Sequence, residues 1–146
     1  MLAIDPGAHP GFAIFDDEDN ELSECSNEFS EAYINESRVV CERPTIYPHS
    51  KADPNRIITL AITAGGLVER CSNAHPVVVW RLPREWKGQI PKTTSLKNYV
   101  IYQRVLKALN VDERKELADT LADISAADAF DVVDAVGIGL HDLGRL

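Results

Sequence analysis

Met1-Leu2-Ala3-Ile4-Asp5-Pro6-Gly7 is a short apolar run that ends on a carboxylate and turns at once. Four apolar residues without alternation predict a strand buried on both faces, and Asp-Pro-Gly predicts the turn that stops it. Gly11-Phe12-Ala13-Ile14-Phe15 follows as a second strand, and Asp16-Asp17-Glu18-Asp19-Asn20 is the polar turn after it. A third strand is expected somewhere within 21–30, although its alternation is poor. Ser37-Arg38-Val39-Val40-Cys41 is short, apolar and β-branched, and it stops at Glu42-Arg43-Pro44. A second acid therefore stands at the end of a strand.

Outward from this hairpin the pattern changes to helical. Pro54 suits the first turn of a helix, and Ile57, Leu60, Ala61, Ala64, Leu67 and Val68 recur at intervals of three and four. Pro76-Val77-Val78-Val79-Trp80 is predicted as the next strand and as the most buried one. Residues 81–94 carry Pro83, Gly88 and Pro91 without periodicity and read as a loop. Helices are expected over about 95–109, 111–121 and 128–143, the last with Val133, Val136, Leu140 and Leu143 on one side. Strands first and helices afterwards imply an α/β fold, a mixed five-stranded sheet whose first three strands are antiparallel, flanked by helices. A chain of 146 residues suits one such domain, and no linker or internal repeat divides it.

Composition agrees, with 45% hydrophobic and 26% charged residues, as in ordinary globular domains. No apolar stretch approaches the roughly 20 residues that span a bilayer. The chain lacks the pattern of a secretory signal, so a cytoplasmic protein without membrane contact is expected. Cys25, Cys41 and Cys71 have no CxxC spacing and read as buried free thiols. The net charge of −8 argues against a nucleic-acid partner until its distribution is considered. Residues 1–37 hold 10 acids and no base, residues 38–107 hold 12 bases and 4 acids, and residues 108–146 hold 3 bases and 9 acids. A basic middle flanked by acidic segments suits a polyanion.

The acids have a geometry of their own. Adjacent strands lie about 4.8 Å apart, so Asp5 and Glu42 can meet over one sheet edge. Asp131 and Asp134 are three residues apart on the last helix, which puts them about 60° apart around it and about 4.5 Å apart along it. A helix laid on the sheet could bring all four together. Four carboxylates repel unless a cation neutralises them. Oxygen donors without His or Cys select Mg²⁺ or Mn²⁺, and two such ions about 3.5–4 Å apart support phosphodiester hydrolysis. Each acid also has a plainer reading: Asp5 as a turn former, Glu42 as a surface residue leaving a strand, Asp128 and Asp131 as first-turn acids of a helix. Asp134, beside Val132, Val133 and Val136, is the hardest to excuse.

In that order, the blocks Leu2-Ala3-Ile4-Asp5-Pro6-Gly7, Val39-Val40-Cys41-Glu42-Arg43-Pro44 and Phe130-Asp131-Val132-Val133-Asp134-Ala135-Val136-Gly137 resemble the RuvC family of Holliday junction resolvases. The resemblance covers nearly the whole chain. It implies a ribonuclease H-like fold and a site of Asp5, Glu42, Asp131 and Asp134 holding two Mg²⁺ or Mn²⁺ ions. It further implies a homodimer that nicks a four-way DNA junction symmetrically, leaving 5′-phosphate and 3′-hydroxyl ends. Asp5 would bridge the ions, Glu42 and Asp134 would each hold one, and Asp131 would complete the set.

The family carries an aromatic wedge shortly after its glutamate, and Tyr47 stands near that place in an unusual loop. Lys87, Lys92 and Lys97 occupy the region where the family places lysines near the scissile phosphate. A ribonuclease H-fold enzyme acting on RNA–DNA hybrid, flaps or ribosomal RNA precursors, as in the YqgF branch, is the neighbouring reading. A module that holds branched DNA without cutting it is the reading from another class. His9, His49, His75 and His141 show no ligand spacing.

Overall fold

Five strands form one mixed sheet in the order β3-β2-β1-β4-β5. They are β1 (Leu2–Asp5), β2 (Gly11–Phe15), β3 (Leu22–Ser26), β4 (Arg38–Glu42) and β5 (Val77–Arg81). The computed structural model describes residues 1–46, 53–71, 76–88, 90 and 93–146. β1 to β3 are an antiparallel meander, while β4 runs parallel to β1 and β5 parallel to β4. The first three strands are thus antiparallel, as the hairpin sequence predicted. β1 is the central strand, and all of its residues are buried. That is why Leu2 to Ile4 show no polar alternation.

One expected position is corrected. The valine-rich run predicted as the most buried strand is β5, at the sheet edge, where Val77 is 64% and Trp80 42% exposed. Apolar β-branched residues signal a strand but not its place in the sheet. Only pairing decides that, and β5 pairs with β4 alone among the described residues.

Inward of β5, both faces of the sheet are covered. On one, α1 (Pro54–Arg70) packs Ala64, Leu67 and Val68 against Leu2, Ile4, Phe12, Val39 and Cys41. Asp53 caps this helix by accepting from the Asn55 amide, with Pro54 in the first turn. A 3-10 turn at Glu31–Asn35, unexpected from the sequence, adds the buried ring of Tyr33. On the other face, α5 (Ala126–Asp142) crosses β1 and β2, buried without a break from Val132 to Leu140. It lies between the sheet and α3 (Val100–Ala108), so a helix apolar nearly all round is what that layer requires. α4 (Val111–Asp123) closes over β3, where the Thr120 hydroxyl donates to the Cys25 carbonyl. Cys25, Cys41 and Cys71 are free and buried. No helix among the described residues is long and apolar enough to cross a membrane.

Two connections differ from expectation in ways that matter for the site. Residues 81–94 are not all loop, since α2 (Pro83–Trp86) forms there, held by the Glu85 carboxylate on the Leu82 amide. The helix expected over 95–109 is broken: a 3-10 turn at Leu96–Asn98 precedes α3, and Tyr99 between them is extended and fully buried. α5 begins at Ala126 rather than Asp128, because Ser125 is the residue that caps it.

Candidate active site

The parallel register pairs Ile4 of β1 with Cys41 of β4, so Asp5 and Glu42 follow side by side at the carboxyl ends of adjacent strands. Side chains alternate along a strand, and Ala3 and Val40 face α5. Asp5 and Glu42 therefore face α5 as well. α5 comes unusually close here. A Cβ at Gly11 would overlap the Asp131 carbonyl, so only glycine lets the helix backbone reach β2. The Asp131 carboxylate lies over the first turn, 2.9 Å from where a Gly7 Cβ would stand. Asp134, one turn further on, is fully buried.

Lys87 joins the acids. It follows α2 directly, and its Nζ lies 3.1 Å from Glu42 Oε2 and 3.1 Å from Asp134 Oδ2. The Trp86 indole N–H donates to the same Glu42 oxygen at 3.0 Å, and the Tyr99 hydroxyl donates to Asp134 Oδ1 at 2.6 Å. Trp86 is held against α5 at Gly137, where a Cβ would stand 2.8 Å from the ring. Neither Trp86 nor Tyr99 was singled out by sequence. The only signal was an aromatic beside the basic loop, and nothing marked Tyr99, whose place depends on the break before α3.

The electrostatics follow from burial. Burial pushes the Glu42 carboxyl above its usual range, and the Asp134 charge adds to that, against the lowering by Lys87 and the Trp86 N–H. For Lys87, burial favours the neutral amine, but the charges of Asp134, Glu42 and Asp5 outweigh it and hold the ammonium protonated above its ordinary value. Burial and the Asp134 charge keep the Tyr99 hydroxyl neutral, and so a donor.

Asp5, Glu42, Asp131 and Lys87 line one cleft of about 510 Å³, with Gly7, His9, Arg56 and Phe130 on its walls. Asp134 stands behind it, reached through Lys87. His9 lies on the rim, 3.4 Å from Asp128, which itself closes the α5 cap with Ser125. Lys97 is exposed on the 3-10 turn and does not line the cleft. Tyr47 and Lys92 lie outside the described residues.

The donor chemistry fits a hard divalent cation, being all carboxylate with no thiol or imidazole among the four. The side-chain arrangement qualifies that fit. No group of three or more His, Cys, Asp or Glu among the described residues is arranged to hold a metal ion. The positive charge between Glu42 and Asp134 is the Lys87 ammonium. Comparison with protein-family models, with curated proteins and with solved structures gave no match to this chain.

Proposed function

We propose that this chain is a metal-dependent endonuclease of ribonuclease H-like fold that resolves four-way DNA junctions by paired symmetric nicks. The observation that supports this most is the convergence of Asp5 and Glu42, at the ends of two parallel strands, with the α5 aspartates laid over them. Ligand sites in open α/β sheets favour the carboxyl ends of parallel strands. Asp5, Glu42, Asp131 and Asp134 would hold Mg²⁺ or Mn²⁺, which when bound supplies activation of water and stabilisation of the leaving oxygen. The residues do the rest. Tyr99 and Trp86 orient the Asp134 and Glu42 carboxylates through hydrogen bonds. The basic segment of residues 38–107, with Lys87, Lys92 and Lys97, would track phosphates, and Tyr47 would stack on an unpaired base. Paired nicks need two sites, which a two-fold homodimer provides.

One observation favours a second reading. Lys87 already bridges Glu42 and Asp134, as a module that binds branched DNA without cutting it would tolerate. The experiment is incubation of a labelled four-way junction with Mg²⁺ or Mn²⁺, beside duplex and RNA–DNA hybrid controls and an Asp5→Asn variant. Symmetric nicks lost with EDTA and in the variant support a resolvase. Cleavage of hybrid alone moves the substrate to another ribonuclease H-fold activity, and tight binding without cleavage supports the module.

A further inference from the structure

A single ammonium sits where two of the four acids meet, and its surroundings say how it is held. Lys87 is close to Glu42 and Asp134 at equal distances, its side chain only 15% exposed, and the Trp86 ring lies 4.7 Å away. Asp134 is fully buried and the Glu42 side chain is 13% exposed, and two carboxylates held so close need a positive charge between them. Lys87 supplies it from a four-carbon stem that also lines the open cleft. Gly88 follows with φ +64°, and a Cβ built on it would meet nothing within 4 Å. The ammonium thus has both a binding position between the acids and an open space to swing into.

A divalent cation that took the Glu42 and Asp134 oxygens now contacted by Lys87 would stand against the ammonium, and the two positive charges would repel in a poorly solvated place. We propose that Lys87 is an exchangeable place-holder: its ammonium keeps Glu42 and Asp134 paired in the metal-free protein and leaves for the cleft when a divalent cation takes its position. This inference rests on the metal-dependent reading above. It makes metal binding an exchange of one cation for another, so Lys87 lowers metal affinity while stabilising the metal-free fold.

The test compares wild type with Lys87→Met by calorimetric titration of Mg²⁺ and of Mn²⁺, with no nucleic acid present. The variant is expected to bind about tenfold more tightly or better, because the metal then has no ammonium to displace from the two carboxylates. Its metal-free thermal midpoint should fall and recover on adding Mg²⁺. A measurement on wild type alone covers the case in which the variant does not fold. In ¹⁵N-lysine spectra the Lys87 ammonium resonance should shift, alone among the lysines, over the same Mg²⁺ range as binding. Equal or weaker binding by the variant, or a Lys87 resonance unmoved at Mg²⁺ saturation, overturns the place-holder role and leaves the metal site standing. No divalent binding by either protein at millimolar concentration overturns both this inference and the metal-dependent reading.

Discussion

Asp134 is a fully buried aspartate, and the local chemistry explains how it is tolerated. A buried charge is costly unless paired and hydrogen-bonded. Asp134 has the Lys87 ammonium on one oxygen and the Tyr99 hydroxyl on the other. Asp134→Asn keeps an acceptor for Tyr99 and removes the charge. On the proposed function it should abolish cleavage while leaving junction binding largely intact, since of the lysines proposed to track phosphates only Lys87 is shown to contact Asp134. Gel-shift titration beside a cleavage time course measures both, and wild-type cleavage by the variant would remove Asp134 from the chemistry.

The placement of α5 controls half of the acids, so the devices that place it control the site. Ser125 caps the helix by accepting from the Asp128 amide and donating to the Asp128 carboxylate. Ser125→Ala should cost about 1 kcal/mol in urea unfolding, the usual cost of losing such a cap, with the slope unchanged. Gly11→Ala is the harsher change. Its methyl would meet backbone rather than a movable side chain, so α5 must lift from β2 at Asp131. We expect a loss of about 2–3 kcal/mol, as for overpacked cores. Cleavage should fall as well, because Asp131 and Asp134 move with the helix. A Gly11→Ala protein with wild-type stability would show that the contact yields more easily than its geometry implies.

Across the fold, the core on the α5 face is closed by an ion pair at the far end of the sheet from the site. There Glu113, buried at the start of α4, accepts from the Leu22 and Asn110 amides and pairs with Arg145. Arg145 also donates to the Asn20 and Ala108 carbonyls, joining the β2–β3 turn to the end of α3. Burial would raise the Glu113 carboxyl, but Arg145 and the two amides more than offset it and hold the value below the ordinary one. A depressed folded value means stabilisation that is full above the unfolded value of about 4.3 and is lost as pH falls through the folded one. Glu113→Gln should therefore cost about 2–3 kcal/mol at neutral pH, somewhat under the range for a fully buried broken pair because Arg145 is part-exposed. The gap from wild type should narrow on acidification below about pH 4. Thermal midpoints measured from pH 7 to pH 3 check this, and a gap constant over that range would rule it out.

The strand positions of Asp5 and Glu42, the antiparallel start, the helical stripe of α1 and the shared face of Asp131 and Asp134 were all legible in the chain. Each rests on a short-range period or turn signal within a few residues. The same rules could not rank β5 among the strands, because apolar β-branched composition is the same at an edge and at a centre. They missed α2 and the break before α3, where Leu82 and Tyr99 are neither charged nor good caps. Lys87 was legible as a base on a loop, yet its inward turn onto Glu42 and Asp134 was not. Nor were the hydrogen bonds from Trp86 and Tyr99. Those depend on three segments far apart in sequence meeting across the sheet and α5. Local propensity fixes what each segment is, whereas the packing of α5 through Gly11 and Gly137 settles which charges face one another.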